Sequence, residues 1–230
     1  MKTIGLIGGM SWESSLEYYR IINETVKARL GGLHSAKSLM VSFDFEEIER
    51  LQYQGNWREA TRLMVEAARQ LERGGADFIV ICTNTMHKMA DEVEASVGIP
   101  LLHIADATAV AIKAQGLHRV GLLGTNFTMT EEFYRGRLQQ MHGLEVLVPD
   151  TAQRQVVHDV IYGELCLGVT KEDSRVQYRR IMAGLAAQGA EGIIFGCTEI
   201  GLLVGQADSP VPVFDTTRVH AETAVSYALA

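Results

Sequence analysis

One half of this sequence repeats the other. Gly75-Ala76-Asp77-Phe78-Ile79-Val80-Ile81-Cys82-Thr83 aligns with Gly189-Ala190-Glu191-Gly192-Ile193-Ile194-Phe195-Gly196-Cys197, an offset of 114 residues that also sets Leu71 on Leu185. Ile4-Gly5-Leu6-Ile7-Gly8 matches Val120-Gly121-Leu122-Leu123-Gly124, and Ile99-Pro100-Leu101-Leu102 parallels Val211-Pro212-Val213-Phe214. Self-similarity at half the chain length means one supersecondary unit used twice. The expected organisation is two similar lobes related by a pseudo-twofold axis. Residues 1–100, completed by 210–230, form the first, and 101–209 form the second.

Each half alternates short apolar runs with helix-period segments, the pattern of an α/β fold with parallel sheets. Strands are expected at Ile4–Ile7, Ser38–Phe43, Phe78–Cys82, Val120–Leu123, Leu144–Val148 and Gly192–Phe195. Several of these runs are apolar on consecutive residues, as in strands covered on both faces. Residues 57–73 place Ala60, Leu63, Met64, Ala67 and Leu71 on one helix face, with Gly74-Gly75 as the stop. Residues 171–188 do the same with Tyr178, Ile181, Met182 and Leu185, with Thr170-x-x-Asp173 as the expected start.

Composition narrows the function classes. The chain carries 21 basic and 28 acidic residues, a net charge of −7, and no Lys/Arg cluster, which argues against a nucleic-acid partner. With 47% hydrophobic residues it has ample core material. No apolar run reaches the roughly 20 residues of a membrane-spanning helix, and the N-terminus lacks a signal-peptide pattern. Three cysteines (Cys82, Cys166, Cys197) form no CxxC pair. A cytoplasmic protein without a disulfide framework is expected. Seven histidines show no metal-binding pair such as HExxH, so no metal site is expected. Gly5-x-x-Gly8-Gly9 departs from the dinucleotide fingerprint, and no phosphate-loop GK[ST] is present.

Ligands of open α/β sheets bind beyond the C-terminal strand ends. Lobes facing each other would therefore present Thr83 and Cys197 to one cleft. Asn84-Thr85 and Thr198-Glu199 would open the following helices, where backbone N–H groups and small polar side chains suit a carboxylate. A helix N-terminus would also favour the Cys197 thiolate. Stereoinversion at carbon needs one acid/base group on each face of the carbon, and two such strand ends supply that arrangement. Thr83 is the weaker member: its hydroxyl is a poor base but can donate or relay a proton, and it also suits a helix cap. Glu199 is a candidate for orienting the thiol. His87 is read chiefly as a packed residue that could support the Thr83 motif.

The Gly8-Gly9-Met10 turn, Gly75-Ala76-Asp77-Phe78, Thr83-Asn84-Thr85-Met86-His87 and Gly196-Cys197-Thr198-Glu199 resemble the aspartate/glutamate racemase family over nearly the whole chain. The resemblance implies cofactor-independent racemisation of an amino acid, with neither pyridoxal phosphate nor metal, and usually a homodimer. It maps the second catalytic thiol onto Cys197 and the first onto Thr83, a departure from the family pattern. Cys82, one place earlier, would point to the other face of the strand. Cys197 would take the Cα proton of an L-amino acid, and Thr83 would face the other side. Asn84, Thr85 and Thr198 would hold the α-carboxylate, while Met10 and Gln52 would shape the side-chain pocket. An L-selective enzyme is expected, fast from L and slow from D, acting on aspartate, glutamate or a broader range. Only Arg50 is placed to clamp a distal carboxylate. The rival expectations are an amino-acid binding or sensing protein without catalysis, and a related one-cysteine decarboxylase or isomerase.

Overall fold

The computed structural model describes residues 1–230. In chain order the first half contains β1 (Ile4–Gly8), α1 (Trp12–Leu30), β2 (Ser38–Ser42), α2 (Phe45–Tyr53), α3 (Trp57–Arg73), β3 (Phe78–Ile81), a 3-10 turn (Thr85–Met89), α4 (Ala90–Ala95) and β4 (Leu101–Leu102). The second contains α5 (Ile104–Ala114), β5 (Arg119–Gly124), α6 (Asn126–Thr130), α7 (Glu132–His142), β6 (Glu145–Leu147), α8 (Thr151–Gly163), α9 (Glu172–Ala187), β7 (Gly192–Gly196), α10 (Ile200–Leu203), β8 (Val213–Asp215) and α11 (Thr216–Leu229). Two compact units result: Met1–His103 with His220–Ala230, and Ile104–Val219.

Each unit holds a four-stranded parallel sheet, ordered β2-β1-β3-β4 in one and β6-β5-β7-β8 in the other. The pairing register follows the sequence repeat: Ile4 lies beside Phe78 as Val120 lies beside Gly192. Equivalent residues make equivalent contacts. Asp77 accepts the Thr3 amide through Oδ2 at 2.5 Å, and Glu191 accepts the amides of His118 and Arg119 through Oε2 at 2.7 and 3.0 Å. Each acid thus fixes the backbone that leads into its central strand. Gly75 and Gly189 both turn at positive φ, +93° and +96°, where a side chain would strain the backbone.

Two short strands escaped the sequence reading. Leu101–Leu102 and Val213–Asp215 are the Pro-preceded segments of the repeat, but at two and three residues they show no alternation to detect. Residues 213–215 pair with β7 in the second sheet, so the segment 210–219, expected with the first lobe, belongs to the second unit. Only His220–Ala230 joins the first. Thr170 does not start α9 either; the cap position is Lys171, which makes no side-chain capping bond.

Both faces of the first sheet are covered, which explains its consecutive apolar strands. Ile79 and Ile81 pack with Met64, Ala67 and Leu71 of α3. Phe78, Val80 and Cys82 pack on the other face with Tyr18 and Ile22 of α1 and Ala221, Ala224 and Val225 of α11. The second unit has one continuous core around Leu122, Ile193 and Ile194. No helix is long and apolar enough to cross a membrane.

Candidate active site

In the first unit the candidate residues gather where β1 and β3 end. Period-two alternation along β3 puts Cys82 on the face of Phe78 and Val80, fully buried, so Thr83 continues the face of Ile79 and Ile81. Burial pushes the Cys82 thiol far above the usual range and leaves it inert. Thr83, Asn84 and Thr85 are all buried, at 9%, 2% and 5% exposure. Thr83 is not the cap: Asn84 holds that position, without a side-chain capping bond, and the element it opens is a five-residue 3-10 turn rather than an α-helix. Met10 is buried in the cluster that contains Met86. Gln52 sits on α2 and its amide donates to the Met86 sulfur at 3.2 Å. The link between Gln52 and Met86 spans two elements and has no local sequence signature.

Arg50 cannot share that position. Ile48 and Gln52, four residues apart, form the buried face of α2, and Arg50 between them is exposed on the opposite side. The Gly8-Gly9-Met10 turn is equally self-contained. The Gly9 amide donates to Ser15 Oγ at 2.8 Å, and a Cβ on Gly9 (φ +83°) would strike the backbone of Phe43. Its glycines answer the packing of this chain itself.

In the second unit Cys197, Thr198 and Glu199 follow β7, buried at 7%, 7% and 3% exposure. The Cys197 thiol donates to Glu199 Oε2 at 3.0 Å, and the Thr198 hydroxyl donates to the same oxygen at 2.7 Å. Burial pushes the thiol well above its usual range, and the adjacent Glu199 charge pushes it further. The expected depression by a helix N-terminus does not arise, because α10 has four residues and no macrodipole of consequence. The same shortness removes the helix-terminus argument for carboxylate binding at both strand ends. What remains is individual N–H groups and hydroxyls. Cys166 is half-buried against the core. Glu164 accepts Ser174 Oγ at 2.8 Å and Lys171 Nζ at 3.3 Å, a local tie between the α8 end and α9.

A thiol held against a carboxylate, in a buried strand-end turn, is the equipment of proton transfer at carbon. The sequence matches the Asp/Glu/Hydantoin racemase family over residues 7–224. The chain belongs to this family of amino-acid racemases. The solved structure of a putative Asp/Glu racemase from Yersinia pestis is 60% identical, with a TM-score of 0.94 and full coverage of both chains. An aspartate racemase homologue from Pyrococcus horikoshii OT3 is 35% identical, with a TM-score of 0.86, also over the whole of both. The broad specificity amino-acid racemase RacX of Bacillus subtilis (strain 168) is 27% identical over 176 residues, 75% of this chain and 74% of its own length. The TM-scores show that the two solved structures have the same fold as this chain, whose sheets are parallel and four-stranded.

Proposed function

We propose that this racemase inverts the α-carbon of an L-amino acid by one-base chemistry at Cys197, using only groups of its own chain. The observation that carries the reading is the 3.0 Å thiol-to-carboxylate bond. A buried thiol is a weak base until its proton leaves, and Glu199 is placed to take it. The resulting thiolate removes the Cα proton, and the electron pair delocalises into the substrate α-carboxylate. Asn84, Thr85 and Thr198 donate to that carboxylate, offsetting the charge that develops there. Thr83 gives its hydroxyl proton to the other face of the carbon and is reprotonated by water. The hydroxide so formed takes the proton held by Glu199, and Cys197 keeps the substrate proton as thiol, which restores the starting state.

The asymmetry of the two positions sets the stereochemical signature. The equilibrium constant of a racemisation is one, so net L-to-D and D-to-L interconversion have equal kcat/KM. Selectivity therefore shows in solvent exchange: Cys197 can remove and return the L-proton many times for each inversion. From the D side every exchange must begin at Thr83, a hydroxyl too weakly acidic to rest as an alkoxide.

The substrate side chain meets Met10 and Gln52 in this reading. Gln52 can serve a carboxylate, amide or hydroxyl alike, and Arg50 faces away. That favours a range of acidic and neutral polar amino acids, in keeping with the name of the Bacillus relative. The test is proton NMR of an L- and D-amino-acid panel in deuterium oxide. Loss of Cα–H from several L-amino acids, with slow loss from their D-forms, supports the proposal. Ligand-dependent thermal stabilisation without exchange would instead identify a binding protein, and carbon dioxide release would identify a decarboxylase. Self-association as a homodimer is also proposed; a monomer mass in sedimentation equilibrium would contradict it.

A further inference from the structure

Beside Thr83 lies a buried group of histidines that the proposed chemistry does not use. His87, 2% exposed, bonds through Nδ1 to the Thr83 carbonyl at 2.7 Å. A carbonyl only accepts, so Nδ1 carries the proton. The His87 ring packs on His103, with centroids 4.6 Å apart, and edge-on to His220 at 5.7 Å. His220 is pinned in turn: Nε2 donates to the Leu102 carbonyl at 2.9 Å, and Nδ1 accepts from Tyr18 at 2.8 Å. The His87 imidazole thus packs between two rings, one of which, His220, has its own orientation set from α1 and from the end of β4.

We infer that His87 is a positioning residue that fixes the Thr83–Asn84 peptide plane, and with it the Thr83 hydroxyl and the Asn84 amide, for the racemase reaction. This rests on the proposed role of Thr83 and Asn84. The peptide is trans, so its C=O and N–H point in opposite directions. Drawing the carbonyl onto His87 turns the Asn84 N–H away from the imidazole. A rotated plane would bring a carbonyl oxygen to the place where the reaction needs a donor for the substrate carboxylate. A five-residue 3-10 turn has too few internal bonds to hold that plane alone, and an imidazole four residues along supplies the missing constraint.

The experiment compares His87→Asn, which keeps a donor near the Nδ1 position, with His87→Leu, which keeps volume without a donor. Cα–H exchange, thermal midpoints and the 15N shifts of the His87 imidazole in the wild type are measured together. The expected wild-type imidazole carries its proton on Nδ1. His87→Leu is expected to lose on the order of 10²-fold in kcat/KM, through a lower kcat as Thr83 is misplaced and a higher KM as the carboxylate loses its Asn84 donor. His87→Asn is expected to recover at least about tenfold of that loss. If His87→Leu does not fold, His87→Gln replaces it, because its amide lies one carbon beyond the Nδ1 position. An Nε2–H tautomer overturns the inference, as does activity that follows the thermal midpoint in every variant without recovery by Asn. Wild-type exchange that is lost in Cys197→Ala but intact in every folded His87 variant removes the role of His87 and leaves the reaction standing. Absence of exchange in the wild type removes both.

Discussion

Cys197 and Glu199 share one proton across 3.0 Å, and that sharing sets the expected pH behaviour. Moving the proton from sulfur to carboxylate changes no net charge, so the wild-type exchange rate should be nearly flat in pH around neutrality. Glu199→Gln removes the internal acceptor. Its thiol, still pushed up by burial, must then ionise into water, so the rate of this variant should rise about tenfold per pH unit until the thiol titrates. At neutral pH its rate should fall on the order of 10²-fold or more. Exchange rates over a pH series check both, and a flat profile in the variant would remove Glu199 from the mechanism. Gln52→Leu, with loss of the 3.2 Å bond to Met86, should narrow the panel toward apolar side chains, read as relative kcat/KM.

At the scale of elements, the two β-α-β repeats impose the same steric demand twice. A Cβ on Gly5 would lie 2.8 Å from the Ala76 Cβ and 2.9 Å from the Phe78 carbonyl oxygen; on Gly121, 2.8 Å from Ile193 Cδ1 and 2.9 Å from Leu185 Cδ1. Alanine at either position should cost about 1–3 kcal/mol. Gly5→Ala should be the worse, since backbone yields less than the end of a side chain; urea midpoints decide. The repeat was legible because each half must close the same sheet on the same contacts, and Trp57–Arg73 was legible because a long amphipathic helix writes its period plainly. Two kinds of feature were not legible. Strands of two or three residues carry too little pattern, and turns of four or five residues after a strand resemble helix starts in sequence. The second confusion led to an expected thiolate-stabilising helix beyond Cys197, where the structure has α10 of four residues and a neighbouring carboxylate. The repeat was enough to put Cys197 and Thr83 at matching strand ends, while their assigned roles, and those of Met10 and Gln52, rest on the family resemblance; the bonds that tie Cys197 to Glu199 and Gln52 to Met86 required three dimensions.

For the whole molecule, buried titratable groups bound the pH range of stability. His220 is fully buried and its pKa is lowered to about 4, chiefly by burial. Unfolded chains protonate this residue near pH 6.5, and the fold resists until about 4. Its contribution is therefore present above about 6.5 and lost as pH falls toward 4, amounting to about 3 kcal/mol. Cys82 and Cys197 act in the opposite sense, since burial raises both thiols. Their contribution is whole below the unfolded thiol value near 9 and declines above it. Thermal midpoints should therefore plateau between about pH 6.5 and 9. His220→Gln should be less stable at neutral pH but should show a shallower acid decline; an equally steep decline would contradict the assignment.

The most direct measurement of the central claim is Cα–H exchange in deuterium oxide for wild type, Cys197→Ala and Thr83→Cys, each given L- and D-forms of one amino acid. Wild type should exchange the L-form far faster than the D-form. Cys197→Ala should exchange neither, and Thr83→Cys should acquire exchange from the D side. A Cys197→Ala enzyme that exchanges the L-form at the wild-type rate would contradict the proposed mechanism.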